Sequence, residues 1–372
     1  MHTTIKFRLQ QKRELAKKLR SRVNSYFKEN QISQHGDYRL HLKTAVMLAI
    51  YWAPFVMILT LPLPVWATLL LYMTIGVGLA GVGMGFMHDA VHGSYSSKPR
   101  LNRVMGYAMN MLGGSSLNWR IQHNVLHHTY TNIEGVDEDI RGRGLLRLSP
   151  NAAWLKMHRY QHIYGLFLYT LLTLNWIFNS DFAQLKRYTK WGLIEQVSKR
   201  PKLEVGLFFI IKAVYLAVMI GLPIALGVTW WVAILGLVLI HMVGGFILSV
   251  VFQLAHVIEG TEYPKPVKEG QLDHSWIEHQ LRTTANFAKK NTLLSWYVGG
   301  LNYQIEHHLF PNISHLHYPA ISKIVKKTAL EYNMPYHEFP TFFSALGAHL
   351  GRLRHFGKSP IVEMKPTLKG RA

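Results

Sequence analysis

From Thr44 to Met87 the chain contains no Asp, Glu, Lys or Arg, and the same is true from Ala213 to Ile258. Roughly 20 apolar residues cross a bilayer as a helix, so each stretch is long enough for two crossings. Proline and glycine punctuate both near the middle, in LPLP at 61–64 and GLPIALGVTW at 221–230, where a helix turns back. The pattern predicts two helical hairpins, Thr44–Leu61 with Val65–Met87 and Val205–Leu226 with Trp230–Phe252. A further apolar run, IYGLFLYTLLTLNWIF at 163–178, has only sixteen residues and is short for a span.

The basic residues fix the expected orientation. Of 41 Lys and Arg, one, Lys212, falls inside a proposed span and none falls in a hairpin tip. By the positive-inside rule the three basic segments, and with them both termini, are cytoplasmic. The net charge of +21 is then a consequence of membrane topology. Nucleic-acid binding would need a basic folded surface or a recognition module, so no nucleic-acid partner is expected. The amino-terminal stretch MHTTIKFRLQQKRELAKKLRSR lacks the apolar core of a cleavable signal peptide. Its apolar residues among cations suggest a helix lying on an anionic membrane face or solvated in the cytosol.

Cysteine is absent, which removes iron–sulfur clusters, thiolate metal sites and disulfides and leaves imidazole. The informative histidines follow the hairpins: HDAVH at 88–92, HNVLHH at 123–128 and QIEHH at 304–308. Side chains three or four apart share a helix face. His88 with His92, His123 with His127, and Gln304 with His307 and His308 are therefore placed to converge, while His128 stands about 100° further round and addresses a second point. Seven such histidines suffice for two metals, and imidazole suits iron, zinc and copper alike. His256, at the cytoplasmic end of the last span, is expected to join them. His241, deeper in that span, is expected to be a hydrogen-bonded interior group, and His158 with His162 to be an unrelated pair outside any metal site. Groups before and after the second hairpin meet only across an even number of crossings, so 163–178 is expected to be interfacial or re-entrant.

These residues resemble the membrane fatty acid desaturases, whose signature is three histidine boxes on the cytosolic side of two helical hairpins. The boxes read here HDAVHGS, HNVLHHTYTN and NYQIEHHLFPNISHLHYP, and the likeness runs from about Ala45 to about Gly357, including QLAHVIEG and RTTANFA. Glutamine at 304 in place of the third box's first histidine marks the front-end desaturases, and the chain is most similar to the cyanobacterial-type Δ6 acyl-lipid enzymes. The resemblance implies an all-α integral membrane fold, with four transmembrane helices and a cytosolic helical cap holding a di-iron site. It implies two non-haem irons, O₂, and an acyl or membrane-lipid substrate. The metal set is His88, His92, His123, His127, His128, His256, Gln304, His307 and His308, with Asp89, Asp137 and Asp139 as candidate carboxylates orienting those imidazoles. No HPGG haem motif occurs in the sequence, so electrons are expected from a separate ferredoxin or cytochrome b5.

The expected organisation is a single desaturase domain over 1–372: a basic segment at 1–43, membrane hairpins at 44–87 and 205–252, and a cytosolic cap from 88–204 and 253–372. A bacterial inner membrane is favoured over the endoplasmic reticulum. Sphingolipid desaturases, hydroxylases and ketolases share the boxes and are the alternative activity. A metal transporter would place its ligands inside the spans as a pathway, and here seven lie outside them.

Overall fold

The computed structural model describes residues 5–8, 12–266 and 270–359. Among these, four helices are long and apolar enough to cross a membrane: Tyr38–Thr60, Val65–Val91, Pro201–Ala225 and Trp230–His256. They pair as the two expected hairpins, but all four run about one to two turns further at the basic ends than the expected spans. The first span begins at the Asp37 cap, whose carboxylate accepts from the Arg39 amide. The second and fourth continue into His88 and His256, because those polar residues are covered by the rest of the protein. Polar residues end a membrane span; they do not end a helix whose far end is buried.

The second span packs against both the first and the fourth, with Gly76, Gly78 and Gly244 letting the backbones approach closely. The apolar run at 163–178 forms a broken helix, Gln161–Thr170 then Leu172–Asn175, leading into a π turn at Trp176–Ser180. It lies along the fourth span and turns Ile163, Phe167 and Phe178 outward. Inside the third span, Lys212 donates to Asp181 at 2.5 Å and to the carbonyls of Gly113 and Trp176, tying that span to the turn.

The amino-terminal helix, Arg13–Glu29, corrects one expectation. Leu15, Leu19, Val23 and Phe27 recur every four residues and are all buried. They pack on helix Tyr318–Glu331 and on Ile305 and Leu309 of the third box. A side chain of this kind gains roughly 1.5–3 kcal/mol on burial. That apolar stripe is spent on protein contact, so it is not the membrane-inserting face of an interfacial helix. Residues 1–4 and 9–11 of the same stretch lie outside the described residues. Among the described residues, strand is confined to a parallel pair, Ala285–Phe287 with His337–Phe339.

Candidate metal centre

Each histidine reaches the centre by a different local device. A π turn at Gly83–Met87 ends the second span and delivers His88 and His92 on one short helical turn. A longer π segment, Arg120–His127, carries the second box. π turns bond i to i+5 and recur at functional sites. Here the wider winding brings His123 and His128, five residues apart, to 3.3 Å between their Nε2 atoms. His256 is the last residue of the fourth span. Gln304, His307 and His308 sit on the six-residue helix Gln304–Leu309, reached through Gly299 and Gly300, both at positive φ. A Cβ on Gly299 would lie 2.0 Å from the Met84 carbonyl of the first π turn, so the approach of the third box to the first requires glycine there.

The residues form two main groups. Ring nitrogens of His88, His92, His123 and His307 lie within 4.8 Å of one another, as do those of His127, His256 and His308. His128 bridges them, its ring nitrogen lying within 4.8 Å of those of His307 and His308. Gln304 places its Nε2 3.1 Å from His256 Nε2. All nine residues expected from sequence are thus brought together. The grouping differs from simple α-helical spacing, however: the π winding carries His128 round beside His123, and His123 and His127 also approach each other, with Asp139, within 4.8 Å.

Buried partners set which ring nitrogen faces inward. Nδ1 of His127 meets the Asp137 carboxylate at 3.1 and 3.2 Å and Asp139 at 3.3 Å. Nδ1 of His308 faces Gln280 Oε1 at 2.8 Å, and Nδ1 of His256 the Thr283 carbonyl at 3.3 Å. These partners accept, so each Nδ1 carries the proton and each Nε2 presents a lone pair. Tyr318 OH lies 3.2 Å from His307 Nδ1. Nε2 of His92, His127, His307 and His308 and Oε1 of Gln304 are buried with no hydrogen-bond partner. Buried polar atoms are almost always paired, so five inward-facing orphans are the signature of a cation site. The donor set fits two nitrogen-ligated transition metals.

Charge distribution agrees with that chemistry. Burial holds His92, His123, His128, His307 and His308 well below the usual histidine range, reinforced by their mutual proximity, so they are neutral and able to ligate. At His127 burial is outweighed by Asp137 and Asp139, which push it up to about 9, so this ring alone holds a proton on Nε2 that a bound metal ion must displace. Burial in turn lifts Asp139 to about 6.

Asp137 and Asp139 therefore lie where the sequence expects orienting carboxylates, whereas Asp89 does not. Its Oδ2 accepts from Ser314 Oγ at 2.9 Å and His315 Nδ1 at 2.9 Å, and His315 Nε2 meets the buried Lys43 at 3.0 Å. The Asp89 carboxylate is engaged by Ser314 and His315, and among the described residues it makes no hydrogen bond to any of the eight candidate ligand histidines. His241 bonds Tyr215 and Thr173 as an interior group. His158 and His162 join no metal group, but His158 is buried and structural: it accepts from the Leu155 amide and faces the Gly144 carbonyl. His279 pairs with His274, and His317 meets Phe27 edge-on. Sequence reasoning missed Gln280, Thr283, Tyr318 and Trp119, which stacks on His123 at 4.9 Å. The one signal was position: Gln280 and Thr283 lie in and beside RTTANFA.

Next to the centre is a cavity of about 490 Å³. Arg141, Arg143 and Asn175 line one part and Trp119, Trp176 and Phe252 another. The same three aromatics, with His88, Met87 and Leu248, line a narrow apolar crevice.

The sequence pattern of the fatty acid desaturase family matches residues 63–340. The chain is 36% identical over 360 residues to the sn-1 linoleoyl-lipid 6-desaturase of Synechocystis sp., covering 96% of this chain and 100% of that protein. It is 36% identical to the enzyme of the same name from Arthrospira platensis, over 92% of this chain and 93% of the relative. The acyl-lipid (8-3)-desaturase of Physcomitrium patens is also 36% identical, over 91% of this chain and 71% of its own length. With a family match over most of its length and relatives aligned nearly end to end, the chain belongs to the fatty acid desaturase family of oxidoreductases, within its front-end branch.

Proposed function

We propose that this protein inserts a cis double bond at carbon 6 of a lipid-bound 18-carbon chain already unsaturated at carbon 9. The observation that carries the reading is the pair of imidazole groups with inward, unpartnered nitrogens; the names of the two cyanobacterial relatives support the position and the lipid carrier. One iron would be held by His88, His92, His123 and His307, the other by His127, His256 and His308 with Gln304, and His128 stands between them. Bound there with O₂ and two electrons, the irons would supply the oxidising power to remove two hydrogens from an unactivated chain.

The protein's own groups orient, neutralise and exclude water. Asp137, Gln280 and the Thr283 carbonyl hold three imidazoles in the tautomer that presents Nε2. The Gln304 carboxamide, a weaker donor than imidazole and uncharged at physiological pH, makes the second group electronically unlike the first. The cavity accepts the acyl chain with its carboxyl end toward Arg141 and Arg143, and the chain runs past Trp119, Trp176 and Phe252 toward His88. Its volume falls within the roughly 300–1,000 Å³ of ligand pockets. The aromatic walls keep water from the reacting carbons.

The whole chain acts as one domain in a bacterial inner membrane, with termini and centre cytoplasmic and a separate ferredoxin or cytochrome b5 as donor. Expression in a host fed linoleate, with mass spectrometry of double-bond positions, tests the activity. New unsaturation only on the methyl side, or a hydroxyl product, overturns the front-end position. A reporter fused after Ser180 should read cytoplasmic; the opposite reading makes 163–178 a span and breaks the topology.

A further inference from the structure

On the surface over the third box is a second, larger concavity of about 1120 Å³. Lys6, Arg8, Arg13 and Arg20 stand on its walls as exposed cations, and among the described residues that line it there is no carboxylate. Lys12 also lines it, with Glu278 4.0 Å away. The floor is apolar, formed by Trp276, Leu309 and Phe310 among others. A charged rim around an apolar floor is the anatomy of a protein–protein interface.

The floor is also the outer wall of the metal centre. Leu309 follows His308 in sequence and Thr129 follows His128. The Trp276 indole N–H donates to the His128 carbonyl at 3.1 Å. One half-buried side chain and one hydrogen bond separate the concavity from a residue that bridges both imidazole groups. The helix that carries Arg13 and Arg20 has its apolar stripe buried against the cap, so those cations are held on a fixed frame.

We propose that this basic concavity is the docking site of the electron donor, a small acidic protein with a one-electron centre. This rests on the desaturase reading, which fixes the electron count. O₂ takes up four electrons and four protons to become two waters. The acyl chain gives two electrons and two protons as its two C–H bonds break and the C=C bond forms. Two further electrons come from two dockings of the carrier, each oxidised by one electron, and two protons come from solvent. A flat bilayer cannot fill a concavity, whereas a protruding acidic lobe can, and opposite charge raises the on-rate of a repeatedly exchanging partner.

The test uses the full-length protein in nanodiscs of neutral phosphatidylcholine. Two acidic carriers serve as probes, a plant-type [2Fe–2S] ferredoxin and a soluble cytochrome b5 domain, and binding is followed by interferometry without turnover. At least one carrier should bind and should weaken steeply with salt. The combined Lys6→Gln, Arg8→Gln, Arg13→Gln, Arg20→Gln variant should weaken it at least about tenfold. Arg20→Glu alone, at an exposed helix position, should weaken it several-fold. A Lys199→Gln, Arg200→Gln, Lys202→Gln variant at the start of the third span should bind as the wild type. Absence of binding to both carriers, equal losses in the two neutralised variants, or a loss seen only toward vesicles containing phosphatidylglycerol would overturn the proposal. Product analysis after linoleate feeding is independent: a chain that makes the product but fails these arms loses only the docking site, and one that binds the carrier but makes no double bond loses the desaturase reading.

Discussion

Gln280→Leu isolates the contribution of a single buried amide to the metal centre. Gln280 is fully buried and touches two of the eight histidines: Oε1 lies 2.8 Å from His308 Nδ1 and 3.0 Å from Thr131 Oγ1, while Nε2 donates to the His128 carbonyl at 3.2 Å. Leucine keeps most of the volume and removes all three interactions. The His308 N–H then lacks its acceptor, an unmade buried bond that costs about 1–3 kcal/mol. The proton is also freed to move to Nε2, where it would block the lone pair facing His127 and His256. Loss of such an orienting partner lowers metal affinity about 10–100-fold, which is about 1.4–2.8 kcal/mol. Iron retained per chain, measured after equilibrium dialysis against graded chelator, should show one iron leaving at 10–100-fold lower chelator concentration while the other holds. Gln280→Glu keeps an acceptor for His308 and loses the donor to His128, so it should fall between. If Gln280→Leu retains both irons at wild-type chelator concentrations, the tautomer argument fails for His308.

Three other substitutions probe the frame. Lys212→Met strands the buried Asp181 carboxylate and should cost roughly 3–5 kcal/mol, read as a lower thermal midpoint in detergent, whereas adding Asp181→Leu should recover much of it; a double variant as unstable as the single would refute the ion-pair account. Gly299→Ala sets a Cβ against the Met84 carbonyl at positive φ and should lower both folded yield and iron content, and normal values for both would show that the loop yields without cost. His158→Ala should lose about 1–3 kcal/mol of stability by leaving the Leu155 amide and Gly144 carbonyl unpaired. Its iron content should stay at wild type, and a drop without unfolding would tie that histidine to the centre.

The hairpins and the histidines were legible because each depends on a local property, a run without charge or a short spacing between like residues. What sequence did not reveal depends on contacts across long separations. Asp89 reads as a neighbour of His88 and is in fact bound to His315, 226 residues away. Gln280 is 28 residues from His308 and no spacing rule links them. The amino-terminal helix reads as amphipathic, and its periodicity is real, but amphipathicity says only that a face is covered. Whether by lipid or by the third box is decided by Ile305, Leu309 and Val325, hundreds of residues on. Likewise His158 has the spacing of a stray pair and the burial of a keystone.

The π winding of Arg120–His127 sets how the two groups are joined. A π turn is what a helix becomes when it absorbs one extra residue without breaking. In a plain α-helix His123 and His127 would sit on one stripe with His128 off to the side. With the surplus residue taken up, His128 comes round to 3.3 Å from His123, so one continuous strip of backbone supplies His123 and His127 to their groups and His128 to the boundary. The segment therefore works as a ruler whose graduations are cut into the chain itself, so the offset between the groups does not depend on how separate helices happen to settle. A one-residue deletion between His123 and His127 would keep every histidine and lose the measurement.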